Sequence, residues 1–230
     1  MTASAGREPA IPAPGFANPT RDTQQAFRSI LDALAHPTRR YPLSGPAQPP
    51  AALGRGLAAV ALTVLDEDCT VWLGEGLADD AEVTAWLDFH TGAHRAEAAS
   101  ADFVFASPGS MPPLASLRLG TDESPHLSTT AVLDVRRLRG NARFTAEGPG
   151  IKGSTTFDAP WADASFAEHW RGNGALYPRG VDLLLVDDES VTALPRTTRL
   201  STTRLSGSAL SMAGLSGPAL APVSVNEQED

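Results

Sequence analysis

The stretch from Tyr177 to Thr198 constrains the fold more than any other part of the chain. Val181 to Val186 is apolar except for Asp182, too short for a stable isolated helix, and set between Pro178/Gly180 and the acidic Asp187-Asp188-Glu189-Ser190. Such a run reads as a buried strand entering a tight turn. A second run, Val191 to Leu194, stops at Pro195, which has no amide proton to give to a ladder. The two predict a terminal hairpin, with Pro195-Arg196-Thr197-Thr198 as the exit from the folded core.

Upstream of the hairpin the patterns alternate between helical and extended. Thr20 or Asp22 can cap a helix in which Phe27, Ile30, Leu31 and Leu34 share one apolar face and Arg28 and Asp32 lie on the wet side. Pro37 ends it by disfavouring the helical conformation at His36. A second helix is predicted over 51–65, a strand over 69–73, and a helix over 79–89 with Asp79, Asp80 and Glu82 in its first turn. Asp102 to Ala106 reads as a strand. Ser107 to Leu127, rich in Gly and Pro, reads as a long connection with at most one short helix. Thr129 to Leu138 and Ala142 to Ala146 look like an antiparallel pair joined at Gly140-Asn141, followed by a strand over 154–157 and a short helix over 162–170. Crossovers early and hairpins late predict an α/β class with a mixed sheet and flanking helices.

The two ends differ from this core. Residues 1–19 carry four prolines and few large apolar groups, which predicts a flexible proline-rich arm. Residues 20–199 form the expected single domain, and 200–230 the expected disordered tail, in which Leu205-Ser-Gly-Ser-Ala-Leu210 and Leu215-Ser-Gly-Pro-Ala-Leu220 are nearly one unit repeated. With 27 carboxylates against 18 cationic side chains, the chain is expected to be repelled by nucleic acid and by anionic membrane. A lone cysteine, Cys69, excludes an internal disulfide framework and any cysteine-rich metal site within one chain. The first residues do not read as a signal peptide and no apolar run approaches a membrane span, so a soluble, cytoplasmic protein is expected.

Few motifs carry chemistry. Gly148-Pro149-Gly150-Ile151-Lys152-Gly153 has the spacing of a dinucleotide loop, but the β-like Ser154-Thr155-Thr156-Phe157 follows where a helix is required. It reads as a turn, with a backbone-amide anion nest as the alternative. His90 and His94 have a metal-ligand spacing only if both lie on one helical face; Gly92 interrupts it, and His90 reads as a cap at the negative end of a helix. Asp66-Glu67-Asp68 reads as a solvated turn, and no metal site is expected. Arg179 and Arg196 flank the hairpin and suit either a phosphate clamp or ion pairs with Asp182 or Asp187. Neither G-x-S-x-G nor H-E-x-x-H occurs, and no catalytic set is assigned.

An ordered set of these stretches resembles one family, the H subunit of the bacterial carbon–phosphorus lyase system (PhnH). The residues are Phe27-Arg28 to Leu34 with Pro37, Ala61 to Leu65 through the acidic turn into Val71-Trp72-Leu73, and Phe89-His90-Thr91. Gly148-Pro149-Gly150-Ile151, Tyr177-Pro178-Arg179-Gly180-Val181-Asp182-Leu183 and Leu194-Pro195-Arg196-Thr197-Thr198 complete it, over about Thr20 to Thr198. The resemblance implies a fold similar to that of pyridoxal-phosphate-dependent transferases, without the cofactor site, and so no cofactor. It also implies work inside a core complex with the G, I and J subunits. In the family, the G, H, I and L components are implicated in displacing adenine from ATP by a phosphonate, with the substitution credited to I and C–P cleavage to J. The expected role is a structural, non-catalytic subunit covered by a second copy of itself, as a homodimer, and by its partners. The alternative is a ligand-binding or catalytic subunit with Gly148, Gly150, Gly153, His90, Arg179 and Arg196 as contacts.

Overall fold

The computed structural model describes residues 12–136, 138, 140–163 and 165–202. In chain order its regular elements are α1 (Pro19–Ala35), β1 (Tyr41–Pro42), α2 (Gly54–Val64), β2 (Thr70–Leu73), α3 (Ala81–Thr91), β3 (His94–Arg95) and β4 (Phe103–Ala106). There follow β5 (Thr130–Asp134), β6 (Arg143–Glu147), β7 (Ser154–Asp158), α4 (Phe166–Gly174), β8 (Asp182–Val186), β9 (Ser190–Leu194) and β10 (Arg199–Thr202). The connection between β4 and β5 holds two short 3-10 turns, Leu114–Ser116 and Pro125–Leu127, one more than expected.

The hairpin is the centre of the molecule. β8 and β9 pair antiparallel from Leu183 with Leu194 to Val186 with Val191, and Asp187 shapes the turn by accepting the amides of Glu189 and Ser190. β8 also pairs parallel with β5, giving a seven-stranded mixed sheet in the order β1-β9-β8-β5-β4-β2-β3. Strand alternation with both faces covered explains why β8 is apolar after Asp182. Leu184 and Val186 join Phe105 and Val132 under α1, α2 and α3, while Leu183 and Leu185 join Val104, Ala131 and Leu133 under α4 and a second sheet.

The structure departs from four expectations. β5 and β6 do not form a hairpin: β5 lies inside the large sheet between β4 and β8, whereas β6 pairs with β7 and β10 in a separate three-stranded sheet. The chain does not leave the core at Pro195 to Thr198, because Thr198 is buried and β10 continues to Thr202 alongside β6. On α1 the cap is Asn18, whose side chain accepts the Arg21 amide; Pro19 occupies the first helical position, where its missing N–H costs nothing. The buried stripe of that helix is Ala26, Ile30 and Ala33, with Phe27 and Leu31 each 49% exposed. The small side chains face the alanine-rich α2, where Ala58, Ala59 and Ala61 are fully buried, and β9, on which α1 also packs.

α3 follows its sequence more directly. Asp80 caps it by accepting the amides of Glu82 and Val83, Gly92 ends it in the left-handed conformation, and Val83, Trp86 and Leu87 are buried. Of the arm expected over 1–19, the described residues run beside α3: the Ala13 carbonyl accepts from Trp86 Nε1 at 2.8 Å, and Phe16 packs on the core. The repeated leucine units of 205–220 lie outside the described residues.

Candidate functional site

On the α4 face of the large sheet a cleft of about 630 Å³ opens between the β4–β5 connection and α4. Leu133 and Leu183 form its floor, Met111, Pro113 and Leu114 one wall, and Trp161 and Phe166 the other. An aromatic cluster fixes that second wall. The Trp161 and Phe166 rings meet edge to face at 4.5 Å, and Phe166 stacks on the buried Trp170 at 5.9 Å.

The polar groups at the rim are committed to structure. Asp163 Oδ1 accepts the Ser165 and Phe166 amides, both at 2.9 Å, and the Ser165 hydroxyl at 2.8 Å. The Ser165 hydroxyl hydrogen bond, foremost, holds the Asp163 carboxyl below its ordinary range. His169 Nδ1 lies 3.4 Å from Ser165 Oγ. This serine donates to a carboxylate that also receives the amides at the start of α4, a local turn rather than an activated nucleophile. The Asn173 side chain is satisfied too, receiving the Val181 amide at 2.8 Å and donating to the Val181 carbonyl at 2.9 Å.

Charge decides what this cleft can take. Its lining includes Asp163 and Glu168 but neither arginine nor lysine. A phosphonate or a triphosphate binds through cationic and amide donors, so the cleft is unsuited to such anions and suited to apolar groups.

The candidates named from sequence lie elsewhere. Gly148, Gly150 and Gly153 belong to the β6–β7 turn. A β-carbon on Gly150 would sit 2.1 Å from the Ala35 carbonyl oxygen and one on Gly148 2.8 Å from that of Thr197, so the turn is docked against the end of α1 and the 195–198 segment. The segment after it is strand, so no helix N-terminus faces these glycines. His90 Nε2 lies 2.9 Å from the Ala13 carbonyl, and His94 is in β3 beyond the Gly92 break. No group of three metal-ligating side chains occurs among the described residues.

Arg196 is bound on every nitrogen. Its Nε and Nη2 meet Asp182 at 3.2 and 2.5 Å, Nη2 also meets Ser128 Oγ, and Nη1 donates to the Pro125 and Pro178 carbonyls at 3.1 Å. The ion pair with Asp182 read from sequence is therefore formed, while Asp187 pairs with Arg40. Arg179 is different: its guanidinium pairs with Asp122 at 3.2 Å and its side chain is 42% exposed. The structure thus places Arg179 next to Pro178, whose carbonyl Arg196 holds, and docks the glycine turn on the 195–198 segment that carries Arg196, while His90 lies apart on α3.

The cleft escaped sequence reasoning because its walls come from segments 108–119 and 161–176, which only the crossover between β5 and β8 brings together. The available signal was Trp161 and Phe166 on either side of Asp163 and Ser165.

Fold and cleft together define a mixed-sheet α/β protein whose α4-side cleft is largely apolar and lacks a convergent catalytic set among the described residues. Residues 14–201 match the family described as bacterial phosphonate metabolism protein (PhnH), and the chain belongs to that family. It is 40% identical over 187 residues, covering 80% of this chain and 93% of the relative, to the alpha-D-ribose 1-methylphosphonate 5-triphosphate synthase subunit PhnH of Rhizobium meliloti (strain 1021). It is 31% identical over 179 residues, covering 77% of this chain and 85% of the relative, to the putative C-P lyase subunit protein HtxG of Stutzerimonas stutzeri. The resemblance read from the ordered motifs and this family membership agree.

Proposed function

We propose that this protein is a structural, non-catalytic subunit of a carbon–phosphorus lyase core, supporting the synthesis of ribose 1-phosphonate 5-triphosphate from ATP and a phosphonate. In that reaction a phosphonate oxygen bonds to the ribose C1 as the bond to adenine N9 breaks, and adenine leaves protonated. The observation that carries the reading is the near full-length match to a relative named as a subunit of that synthase. A cleft lined by neither arginine nor lysine and the occupied guanidinium of Arg196 support a role outside the chemistry.

Partners would be the G, I and J subunits and a second copy, in the cytoplasm. No helix among the described residues is long and apolar enough to cross a membrane. The α1 face with Phe27 and Leu31 carries Arg28 and Asp32 one turn apart, so an antiparallel pair of these helices would set arginine against aspartate twice, as an isologous contact requires. Co-expression with G, I and J, followed by native mass spectrometry, is expected to give a stoichiometric complex. A chain that stays apart from all three would overturn the reading. Phe27→Glu with Leu31→Glu is expected to convert a dimer of the isolated chain to monomer.

Kinship with the pyridoxal-phosphate transferase fold is part of the same reading, supported by a mixed sheet in which β3, β2, β4, β5 and β8 run parallel. Lys152, the sole lysine, is exposed in the β6–β7 turn and does not line the cleft. A Schiff-base lysine works desolvated, so a loss of the cofactor function fits this position. An imine absorption band on adding pyridoxal phosphate, abolished by Lys152→Ala, would count against it.

The half-exposed Arg179 favours a second reading, in which the subunit lends a contact to the nucleotide or phosphonate. Arg179→Ala should then lower turnover of the assembled complex without dissociating it. Unchanged turnover removes this version.

A further inference from the structure

The chain leaves the second sheet next to the cleft. Thr202, the end of β10, is paired with Phe144, whose ring lies 6.2 Å from that of Phe166 in the cleft wall. An extended chain advances about 3.5 Å per residue, so Leu205 can stand roughly 10 Å beyond Thr202. From Leu205 to Asn226 the sequence carries no charged side chain, and it presents leucine pairs at 205 and 210 and at 215 and 220 with Ser, Gly, Ala and Pro between them.

We propose that this following segment of the same chain occupies the cleft, with one Leu-Ser-Gly-x-Ala-Leu unit at a time laid over Leu133 and Leu183 between Leu114 and Phe166. Three matches carry it. The cleft floor and walls are largely apolar, its Asp163 and Glu168 are exposed at the rim where they keep their hydration, and the segment from 205 to 226 carries no charge, so no ion need be buried when they meet. The small residues within each unit let its backbone lie close to the aromatic wall while the leucines reach the floor. The short tether from Thr202 supplies a local concentration on the order of millimolar, so a contact too weak to persist between separate molecules persists here. The nearer unit, 205–210, is the principal occupant and 215–220 its substitute. A partner subunit using the same cleft must first displace the segment.

The test is amide hydrogen exchange on the isolated full-length chain, and it needs neither partner subunits nor the reading in the preceding subsection. The comparison is a full-length variant with Leu205, Leu210, Leu215 and Leu220 all changed to serine. Peptides covering 165–176 and 108–116 are expected to exchange about tenfold faster in the variant, with α2 unchanged. From the other side, Leu114→Glu should speed exchange across 205–210 by a similar factor. Equal exchange at the cleft in wild type and the serine variant overturns the proposal. So does protection that fades on dilution, which would assign the cleft to a second copy. If Leu114→Glu fails to fold, the serine variant, whose changes lie beyond β10, still decides.

Discussion

Asp182 and Arg196 tie the first residue of β8 to the segment leaving β9: the Arg196 amide donates to Asp182 Oδ1 at 2.7 Å while its guanidinium grips both carboxylate oxygens. The same guanidinium holds the Pro125 and Pro178 carbonyls, so three connections converge on one side chain. Arg196→Ala leaves the largely buried Asp182 without its counter-charge and is expected to destabilise the fold by roughly 3 kcal/mol. Urea unfolding of the isolated protein measures this. Arg196→Lys recovers only part of it, because an ammonium group cannot serve those four partners in one plane.

Asp102 gives the fold an acid limit. Burial pushes its carboxyl up, but hydrogen bonds from the Thr70 hydroxyl and amide, together with Arg118, outweigh that and hold it below the ordinary 3.8. A depressed carboxyl contributes stability above its unfolded value, and that contribution is lost as pH falls through the folded one. Melting temperature is therefore expected to drop as pH is lowered through and below 3.8, and Asp102→Asn should flatten that part of the profile.

Two glycines in one turn separate conformation from contact. Gly150 and Gly153 have φ of +82° and +72°, but a β-carbon meets the Ala35 carbonyl only at Gly150. Gly153→Ala is expected to cost about 1 to 2 kcal/mol, the penalty of the left-handed region. Gly150→Ala should cost about 2 kcal/mol more through displacement of the end of α1. Equal losses on denaturant titration would show that the turn does not bear on the helix.

Asn173→Ala strands both the buried amide and the buried carbonyl of Val181. A loss of roughly 2 to 4 kcal/mol is expected. Asn173→Asp keeps the acceptor but sets a buried carboxylate without a counter-charge against the Val181 carbonyl, so at neutral pH it should be no more stable than the alanine variant in thermal unfolding.

The hairpin, α3 with its acidic start and glycine stop, and the helix break at His36-Pro37 were legible because each is written in neighbouring residues. The partner of β5 was not. Gly140-Asn141 is a good local turn signal, yet β5 gains more inside the large sheet, flanked by β4 and β8 and covered on both faces, than it would beside β6. The face of α1 was misread because large apolar residues were counted, whereas contact with α2 selects alanine. Of the candidate site, the Arg196–Asp182 pair could be foreseen from proximity along the hairpin. The cleft could not, since no local pattern records that Leu114, Leu133 and Phe166 meet.

The placement of β10 sets the order in which the molecule can be completed. β1, at residues 41–42, waits for β9 near residue 190, and β5 waits for β8 across an excursion whose own sheet closes only with the residues up to Thr202. Pairings so distant along the chain form slowly, and during synthesis they leave strand edges open until nearly the whole domain has been made. A chain cut short before codon 182, with neither β8 nor β9 made, would therefore carry β1 without a neighbour and β5 with one bare edge, ribbons prone to find partners in other copies, whereas one cut at codon 199 would lack only the last strand of the small sheet.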